Sequence, residues 1–208
     1  MKSYFLRPLV KDQLPLYAFV AALFVVGVVF GTLLVGALTL EQQQNLSADI
    51  AHFAGLLGTD AAPDAAASFV ERGWFHTKWL LLLWLPGLLV VGLPLVFVLD
   101  FFKGVLIGFA VAVLVSQYEW HGVLFALVSI APPNLFVLPA LLAMSVSSSA
   151  FAMHIFRHRL LGKSGTLRDP FVSHTSVLLV LLAAVWAAAA VEAYLSPSLM
   201  AWASSFLR

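Results

Sequence analysis

The feature that most constrains this chain is a series of apolar runs that are each long enough to approach the width of a lipid bilayer. The first, from about Leu14 to Leu40, contains no charged residue, and a helix needs about 20 apolar residues to cross the hydrocarbon core. Further runs cover residues 79–99, 101–118, 122–153 and 175–194. Because 62% of the 208 residues are hydrophobic and 10% are charged, a water-soluble domain of this size cannot bury them all. The sequence therefore predicts an all-α, polytopic integral membrane protein with about five transmembrane helices in one membrane domain, residues 1–208.

The charge and the cysteine content exclude several function classes. The net charge is +1, so no basic field is available to attract the phosphates of a nucleic acid. The chain has no cysteine, which excludes disulfides and thiolate chemistry. The first apolar run, about 25 residues, is too long for a cleaved secretory signal. We therefore expect the first run to remain as a transmembrane helix.

The basic residues predict an orientation. With the N-terminus inside, eight of the eleven lysines and arginines fall on the inner side, which favours an N-in and C-out arrangement. Residues 41–78 then form an extracytoplasmic loop. This arrangement needs the third run to cross, yet that run offers only about 13 to 16 apolar residues before Ser116 and Gln117. The sequence leaves open whether this run crosses fully or is re-entrant.

An amphipathic helix is predicted in the extracytoplasmic loop. Leu46, Ile50, Phe53 and Leu57 follow helical spacing and form one apolar stripe among polar residues. The stripe has two interpretations: the helix caps its own bundle, or it docks a partner protein.

Small residues recur at every fourth position of the third run, at Gly104, Gly108, Ala112 and Ser116. Such a strip lets two helix backbones approach closely and gain dispersion contacts within lipid. The partner helix is either in the same chain or in a second copy, which would make a homodimer.

The fourth run is interrupted by Pro132, Pro133 and Asn134. Two adjacent prolines remove two backbone donors at membrane depth, which predicts a broken or kinked helix. In one interpretation the freed carbonyls are bonded by Asn134, by Gln117 or by a neighbour. In the other, the break is a discontinuous helix that forms an ion or solute site near Asn134, as in transporters.

The remaining polar residues give no catalytic pattern. Asp100 and Lys103, three residues apart, are expected to pair with each other at the inner boundary, and Glu192 is expected near the outer one. Serine hydroxyls in membrane helices usually bond their own backbone or let a neighbouring helix approach. We interpret Ser145, Ser147, Ser148 and Ser149 in this way.

No motif for a zinc, aspartyl or serine hydrolase is present. We predict no enzyme, no metal and no cofactor.

The order of these residues resembles the stage II sporulation protein M family of endospore-forming bacteria. The combination of the Gln117-Tyr118 corner with the proline-asparagine interruption is the most specific part, and the resemblance extends over nearly the whole chain. The matching residues are Phe102-Lys103-Gly104, Gly108-Phe109, Val115-Ser116-Gln117-Tyr118, Trp120, Gly122, Leu124 to Ser129, Pro132-Pro133-Asn134-Leu135 and Pro139-Ala140-Leu141.

The resemblance implies a non-enzymatic scaffold in the mother-cell membrane at the sporulation septum. Its expected partners, besides the lipid bilayer, are two cell-wall hydrolases, stage II sporulation proteins D and P. By recruiting and localising them it would support thinning of the septal peptidoglycan during engulfment. A small-solute or ion transporter with a site near Asn134 is the alternative function.

Overall fold

The computed structural model describes residues 13–56, 64–160 and 167–204, and every regular element in these ranges is a helix. Within them a 3₁₀ turn over Val90–Gly92 precedes the fourth α-helix, and a π turn over Val191–Leu195 follows the fifth. The α-helices are α1 (Leu14–Val35), α2 (Leu40–Leu56), α3 (Ala65–Gly87), α4 (Leu93–Leu160), α5 (Arg168–Ala190) and α6 (Ser196–Ser204). The predicted all-helical class is confirmed.

Local sequence signals explain where the first three helices begin. Pro15 stands in the first turn of α1, where a missing backbone donor has no cost. Before α2, Thr39 and Gln42 bond each other's backbone: Thr39 N donates to Gln42 Oε1 at 2.9 Å, and Gln42 N donates to Thr39 Oγ1 at 3.3 Å. Asp64 caps α3, because its carboxylate accepts from Ala67 N at 2.9 Å.

Three of the described segments are long and apolar enough to cross a membrane: Leu14–Val35, Val90–Arg157 and Arg168–Ala203. A straight helix with the 68 residues of α4 would be about 100 Å long, about three times the width of the hydrocarbon core. The chain instead reverses at Glu119, whose φ of 50° and ψ of −125° are not helical. A positive φ in a residue other than glycine stores strain, which marks this corner as a position enforced by its surroundings.

The reversal makes α4 a hairpin of two antiparallel arms, residues 93–118 and 120–160. A Cβ atom on Gly122 would lie 2.0 Å from the carbonyl oxygen of Leu114, eight residues earlier. Farther from the corner, Ser145 Oγ donates to Asp100 Oδ1 at 2.6 Å across the two arms. These contacts are impossible in a straight helix.

The long segments run in alternating directions along the chain. Phe19 packs on Phe97 at 5.1 Å between ring centroids, and Phe30 packs on Phe101, so α1 runs parallel to the first arm. Ring contacts also pair α5 in the antiparallel sense with α3 and with the second arm. We name the two ends of this bundle the hairpin end, which contains Glu119, and the basal end, which contains the Val90–Gly92 turn.

The strip of small residues is used within the chain, between α1 and the first arm. Cβ atoms on Gly104 and Gly108 would lie 2.2 Å from Phe24 O and 2.1 Å from Val28 O. Gly27 and Gly31 make the reciprocal approach from α1. Any larger side chain would push the helix backbones apart, so these glycines set the distance between the two helices. The same strip ends in the half-buried Ala112 and the exposed Ser116.

The helix boundaries differ from several predicted spans: α1 ends at Val35, before the end predicted for the first span, and the second span differs most. Residues 79–99 are not one helix, because α3 ends at Gly87 and α4 begins at Leu93 after the intervening turn. Pro86 and Pro94 lie on either side of this turn and favour its position, because prolines lack a donor to continue a helix. Residues 93–99, which the prediction placed in the second span, therefore belong to the first arm of α4. That arm is about 39 Å long, which is long enough to cross the hydrocarbon core.

The adjacent prolines do not break the fourth run. Helix α4 is continuous through Pro132 and Pro133, and the residue within it that leaves helical geometry is Glu119. Proline's φ is itself helical, so the run stays one helix although Pro132 and Pro133 offer no donor to the carbonyls of Val128 and Ser129. The Asn134 side chain donates to Ile130 O at 2.7 Å, which is neither of these two carbonyls. The expected break thus lies about 13 residues earlier, at the corner between the two arms.

The main hydrophobic core lies between α3, both arms of α4 and α5. Its fully buried members include Leu80, Leu83, Val96, Met144 and Val185. Helix α1 packs on the outside of this core and leaves much of its apolar surface exposed.

Candidate functional site

Two regions of the molecule concentrate polar side chains, one at the hairpin end and one inside the bundle. We define the hairpin-end platform as α2, residues 117–122 and α6. We define the interior polar row by the following side chains, listed from the hairpin end towards the basal end: Arg72, His76, Glu192, Lys103, Asp100, Ser145, Ser147, Ser148, Ser149 and His174.

The platform is built around a small hydrophobic cluster. Leu114, Phe125 and Ala126 of α4 bury against Ala203 of α6, and the half-buried Ile50 of α2 packs on them. In addition, Gln117 Nε2 donates to Gln43 O at 3.3 Å. Gln117 therefore fixes α2 to the corner and does not bond the carbonyls freed by the prolines.

The predicted apolar stripe of α2 is only partly described. Leu46 and Ile50 are half-buried, and Ile50 contacts its own bundle. The Phe53 side chain and Leu57 lie outside the described residues. The contact made by Ile50 corresponds to the interpretation in which the helix caps its own bundle, and docking of a partner on the stripe stays a prediction.

The accessible face of the platform lies beside this stripe. Trp120 is 78% exposed, and its neighbours Glu119 and His121 are exposed as well. On α2, Gln44, Asn45, Asp49 and others form an exposed polar surface. An exposed tryptophan near polar side chains is typical of a surface that binds another protein or lies at a membrane interface.

Inside the bundle, Asp100 and the serines of the second arm join three helices. Asp100 is 3% exposed, and of the described residues only Ser145 bonds its carboxylate, at Oδ1. Ser148 Oγ donates to Leu83 O on α3 at 2.8 Å, and Ser147 Oγ is hydrogen-bonded to His174 Nδ1 on α5 at 2.8 Å. These three hydroxyls therefore bond other segments and not their own backbone, which was the first of the two interpretations from the sequence. The second, that a small residue lets a neighbour approach, agrees with the contact of Ser148, whose Cβ would lie 2.6 Å from a Cβ on Gly87.

Lys103 is buried among aromatic rings. It is 9% exposed, and its ammonium lies 5.0 Å from the ring centroid of Trp79 and 5.6 Å from that of Phe75, both on α3. The expected pairing with Asp100 is wrong: no ion pair within 4 Å joins these two described residues. They occupy different contacts because Asp100 faces the second arm and Lys103 faces α3.

Glu192 lies near the hairpin end of the row. Its Oε2 is 3.0 Å from His76 Nε2, and its Oε1 is 3.5 Å from Arg72 Nε, both on α3. The π turn over Val191–Leu195 carries this carboxylate, and such turns recur at functional sites because they reorient side chains. Glu192 thus joins the π turn to α3.

His174 closes the row towards the basal end. It is 2% exposed and lies between two stacked rings, with centroid distances of 5.1 Å to Phe151 and 6.1 Å to Trp84. Sequence reasoning missed this row as a unit. The signal that could have found it is the presence of ionisable residues within apolar runs, since such residues are costly in a membrane and usually functional.

The site residues predicted near the prolines are not part of either region. Pro133 is buried, and Asn134 bonds its own helix at Ile130. The structure brings Gln117 to the platform, away from Asn134.

One comparison with known proteins identifies a relationship. The model of a protein family described as stage II sporulation protein M matches residues 20–197, which leave out the first six residues of α1 and all but the first two residues of α6. No curated protein and no solved structure matches the chain closely enough to show common ancestry. The family match confirms the resemblance found in the residues.

Proposed function

The chain belongs to the stage II sporulation protein M family, and from this premise we propose that it is a non-enzymatic membrane scaffold at the sporulation septum. Family membership and the apolar helices support a sporulation-related membrane protein. The proposed task is to recruit and localise two peptidoglycan hydrolases, stage II sporulation proteins D and P. The thinning of septal peptidoglycan that accompanies engulfment would then occur where this chain resides.

The observation that carries the proposal is the anchoring of the hairpin-end platform to the bundle. A recruiting surface must hold its geometry while a partner binds, because ordering a loose segment lowers the affinity. Here Ile50 packs on the cluster below it, and Gln117 bonds the α2 backbone. Trp120 and Asp49 are exposed and stay accessible to a partner.

We further propose five membrane crossings, by α1, α3, the two arms of α4 and α5, with the N-terminus inside. The alternating directions of these segments support this arrangement, as does the distribution of lysine and arginine along the chain. The platform would then face the peptidoglycan, where the hydrolases act. The alternative of a solute site near Asn134 has less support, because that amide already bonds Ile130 O.

A cysteine-labelling experiment tests the orientation, because the chain has no native cysteine. Asn45→Cys lies on the exposed face of α2, and Val91→Cys lies in an exposed position of the basal turn. A membrane-impermeant maleimide applied to intact cells should label the first variant, and the second only after lysis. Labelling of Val91→Cys in intact cells would reverse the proposed topology.

Co-purification tests the recruitment. The tagged chain, co-expressed with both hydrolases, should retain them in detergent, and Trp120→Ala together with Asp49→Arg should release them. Trp74→Ala is the matched control, because Trp74 is an exposed tryptophan of α3 outside the platform. If the unmodified chain captures neither hydrolase, the scaffold function is wrong. If the platform variant keeps both, the docking surface lies elsewhere.

A further inference from the structure

Within the described ranges, α6 is the shortest α-helix. It has nine residues, Ser196–Ser204, and a helix of this length is not stable in water by itself, because its first turn costs more free energy than its few hydrogen bonds return. The orientation of α6 must therefore come from contacts with other segments. Two such contacts are present, one towards each end of the helix.

The far end of α6 is held by the apolar cluster of the platform. Ala203 is 1% exposed and packs with Leu114 and Phe125 of α4, and the half-buried Met200 joins the same cluster. Apolar contacts of this kind have no preferred direction. They hold α6 against α4, but the rotation of α6 about its own axis has to be fixed elsewhere.

The start of α6 is connected to α3 through Glu192. The π turn that carries Glu192 leads directly into α6. Glu192 Oε2 is hydrogen-bonded to His76 Nε2 at 3.0 Å, and Oε1 forms an ion pair with Arg72 Nε at 3.5 Å. Because hydrogen bonds are directional, this connection can fix the rotation that the apolar cluster leaves open.

One face of α3 supports this junction. Phe69, Arg72, Gly73 and His76 follow the i, i+3, i+4, i+7 spacing of a single helix face. Phe69 packs on Trp186 at 5.2 Å between ring centroids, and a Cβ atom on Gly73 would lie 2.7 Å from the Trp186 ring. The end of α5 therefore rests directly on α3, which makes α3 a fixed support beneath the π turn.

The geometry of the π turn explains why the connection matters for α6. A π turn is closed by a bond from residue i to residue i+5 and is wider than an α turn. Here the Ser196 backbone N–H donates to Val191 O, and Ser196 Oγ donates to the same oxygen at 3.3 Å. An α-helix turns by about 100° per residue, so a return to α geometry would rotate α6 by about this angle. Ala203 would then turn away from its cluster.

We propose that Glu192 is a positioning residue of the hairpin-end platform: by bonding the π turn to α3, it sets the rotation of α6 and with it the surface that a partner meets. The consequence for binding rests on the proposed scaffold function. The Glu192 side chain is 22% exposed and that of Arg72 is 51% exposed, so the connection lies near the surface of the bundle.

Distances between two spin labels test the positioning on the full-length chain alone. The chain has no native cysteine, so labels can be attached through Ser198→Cys on α6 and Val91→Cys in the basal turn, both at exposed positions. Double electron–electron resonance in detergent should give a narrow distance distribution while Glu192 is present. Glu192→Ala should widen this distribution about twofold or more, because α6 is then free to rotate.

A reference pair separates positioning from general support of the fold. Asn45→Cys on α2 with Val91→Cys spans the bundle without α6, and its distance distribution should not change in Glu192→Ala. Glu192→Gln keeps the shape of the side chain and can still bond His76, so it should widen the α6 distribution by less, and it carries the test if Glu192→Ala does not fold. Glu71→Gln is the matched control, because Glu71 is an exposed glutamate of α3 that forms no ion pair within 4 Å among the described residues.

Co-purification measures the consequence for binding. The Glu192→Ala chain, co-expressed with both hydrolases, should retain about a third or less of the amount that the unmodified chain retains, because a surface that is not preorganised binds more weakly. Glu71→Gln should retain the full amount.

Three results would overturn the inference. An unchanged distribution for the α6 pair in both Glu192 variants would show that α6 is positioned without this carboxylate. Equal widening for both label pairs would show that Glu192 only supports the fold as a whole. Full retention of the hydrolases by a chain with a displaced α6 would show that docking does not depend on this helix. If the unmodified chain captures neither hydrolase, the scaffold function is wrong, while the distances still decide whether Glu192 positions α6.

Discussion

The hairpin-end platform and the interior polar row are held together by different interactions. The platform depends on one small apolar cluster, a 3.3 Å hydrogen bond and a corner at Glu119 with a strained backbone. The row depends on hydrogen bonds of 2.6–2.8 Å that join different helices among fully buried neighbours. The difference indicates that a single change in the platform affects its attachment locally, whereas a change in the row disturbs several helices together.

The largest expected effect comes from comparing a glycine-to-alanine substitution next to Ser148 of the row with the same substitution in α2 of the platform. Gly87→Ala would place a Cβ atom 2.6 Å from Ser148 Cβ and 2.8 Å from its Cα, so the free energy of unfolding should fall by about 2 kcal/mol or more. In α2, nothing lies within 4 Å of a Cβ on Gly55, and Gly55→Ala should be neutral or stabilise by up to about 1 kcal/mol. Denaturation by sodium dodecyl sulfate in mixed micelles measures both values. Equal effects at the two positions would remove the proposed difference.

The next effect compares two serines of the second arm. Ser145→Ala leaves the buried Asp100 carboxylate without its described hydrogen bond and should cost about 1–3 kcal/mol of unfolding free energy. Ser129→Ala removes only a bond to the serine's own helix, so it should cost about 0.5 kcal/mol or less. Thermal unfolding in detergent compares the two variants. A small loss for Ser145→Ala would mean that the row does not hold the helices together.

A smaller effect, of opposite sign, is expected at the corner. Glu119→Gly relieves a backbone conformation that costs about 1–3 kcal/mol in other residues, and this exceeds the roughly 0.5–1 kcal/mol that glycine loses through unfolded-state entropy. We therefore expect a net gain in unfolding free energy of about 1 kcal/mol in the same detergent assay. Glu71→Gly, at an exposed position within α3, should instead lose about 1 kcal/mol. Destabilisation by both would show that Glu119 makes a contact that outweighs its strain.

Much of the secondary structure could be predicted from the sequence, because membrane helices are encoded locally. The uncharged apolar run predicted helix α1. The loss of apolar character at Ser116 and Gln117 predicted where the third run ends, close to the observed corner. The prolines misled the prediction, since the φ of Pro132 and Pro133 is itself helical and α4 continues through both of them. A sequence pattern shows which backbone donors are missing, but not whether the helix continues without them.

The interior polar row could not be predicted as a unit from the sequence. Its contacts join positions far apart in the chain, such as Asp100 with Ser145 and His76 with Glu192. In a soluble helix the apolar stripe shows which face points inward, but membrane helices are apolar on the lipid side as well. Without that signal, the local prediction paired Asp100 with Lys103, its nearest opposite charge.

The smallest expected effect concerns how firmly the platform is attached. Gln117→Ala removes the hydrogen bond to Gln43 O, which is long and only partly buried, so global stability should fall by about 0.5–1 kcal/mol. Because this bond anchors α2 locally, hydrogen exchange of the α2 amides should accelerate by roughly three- to fivefold, and exchange of the α5 amides should accelerate by no more than the loss of global stability accounts for. Gln44→Ala, on the exposed face of the same helix, is the control and should leave exchange unaltered. If α2 exchanges at its original rate without the Gln117 amide, the Ile50 contact alone holds the platform, and the rigidity proposed for partner binding rests on that side chain.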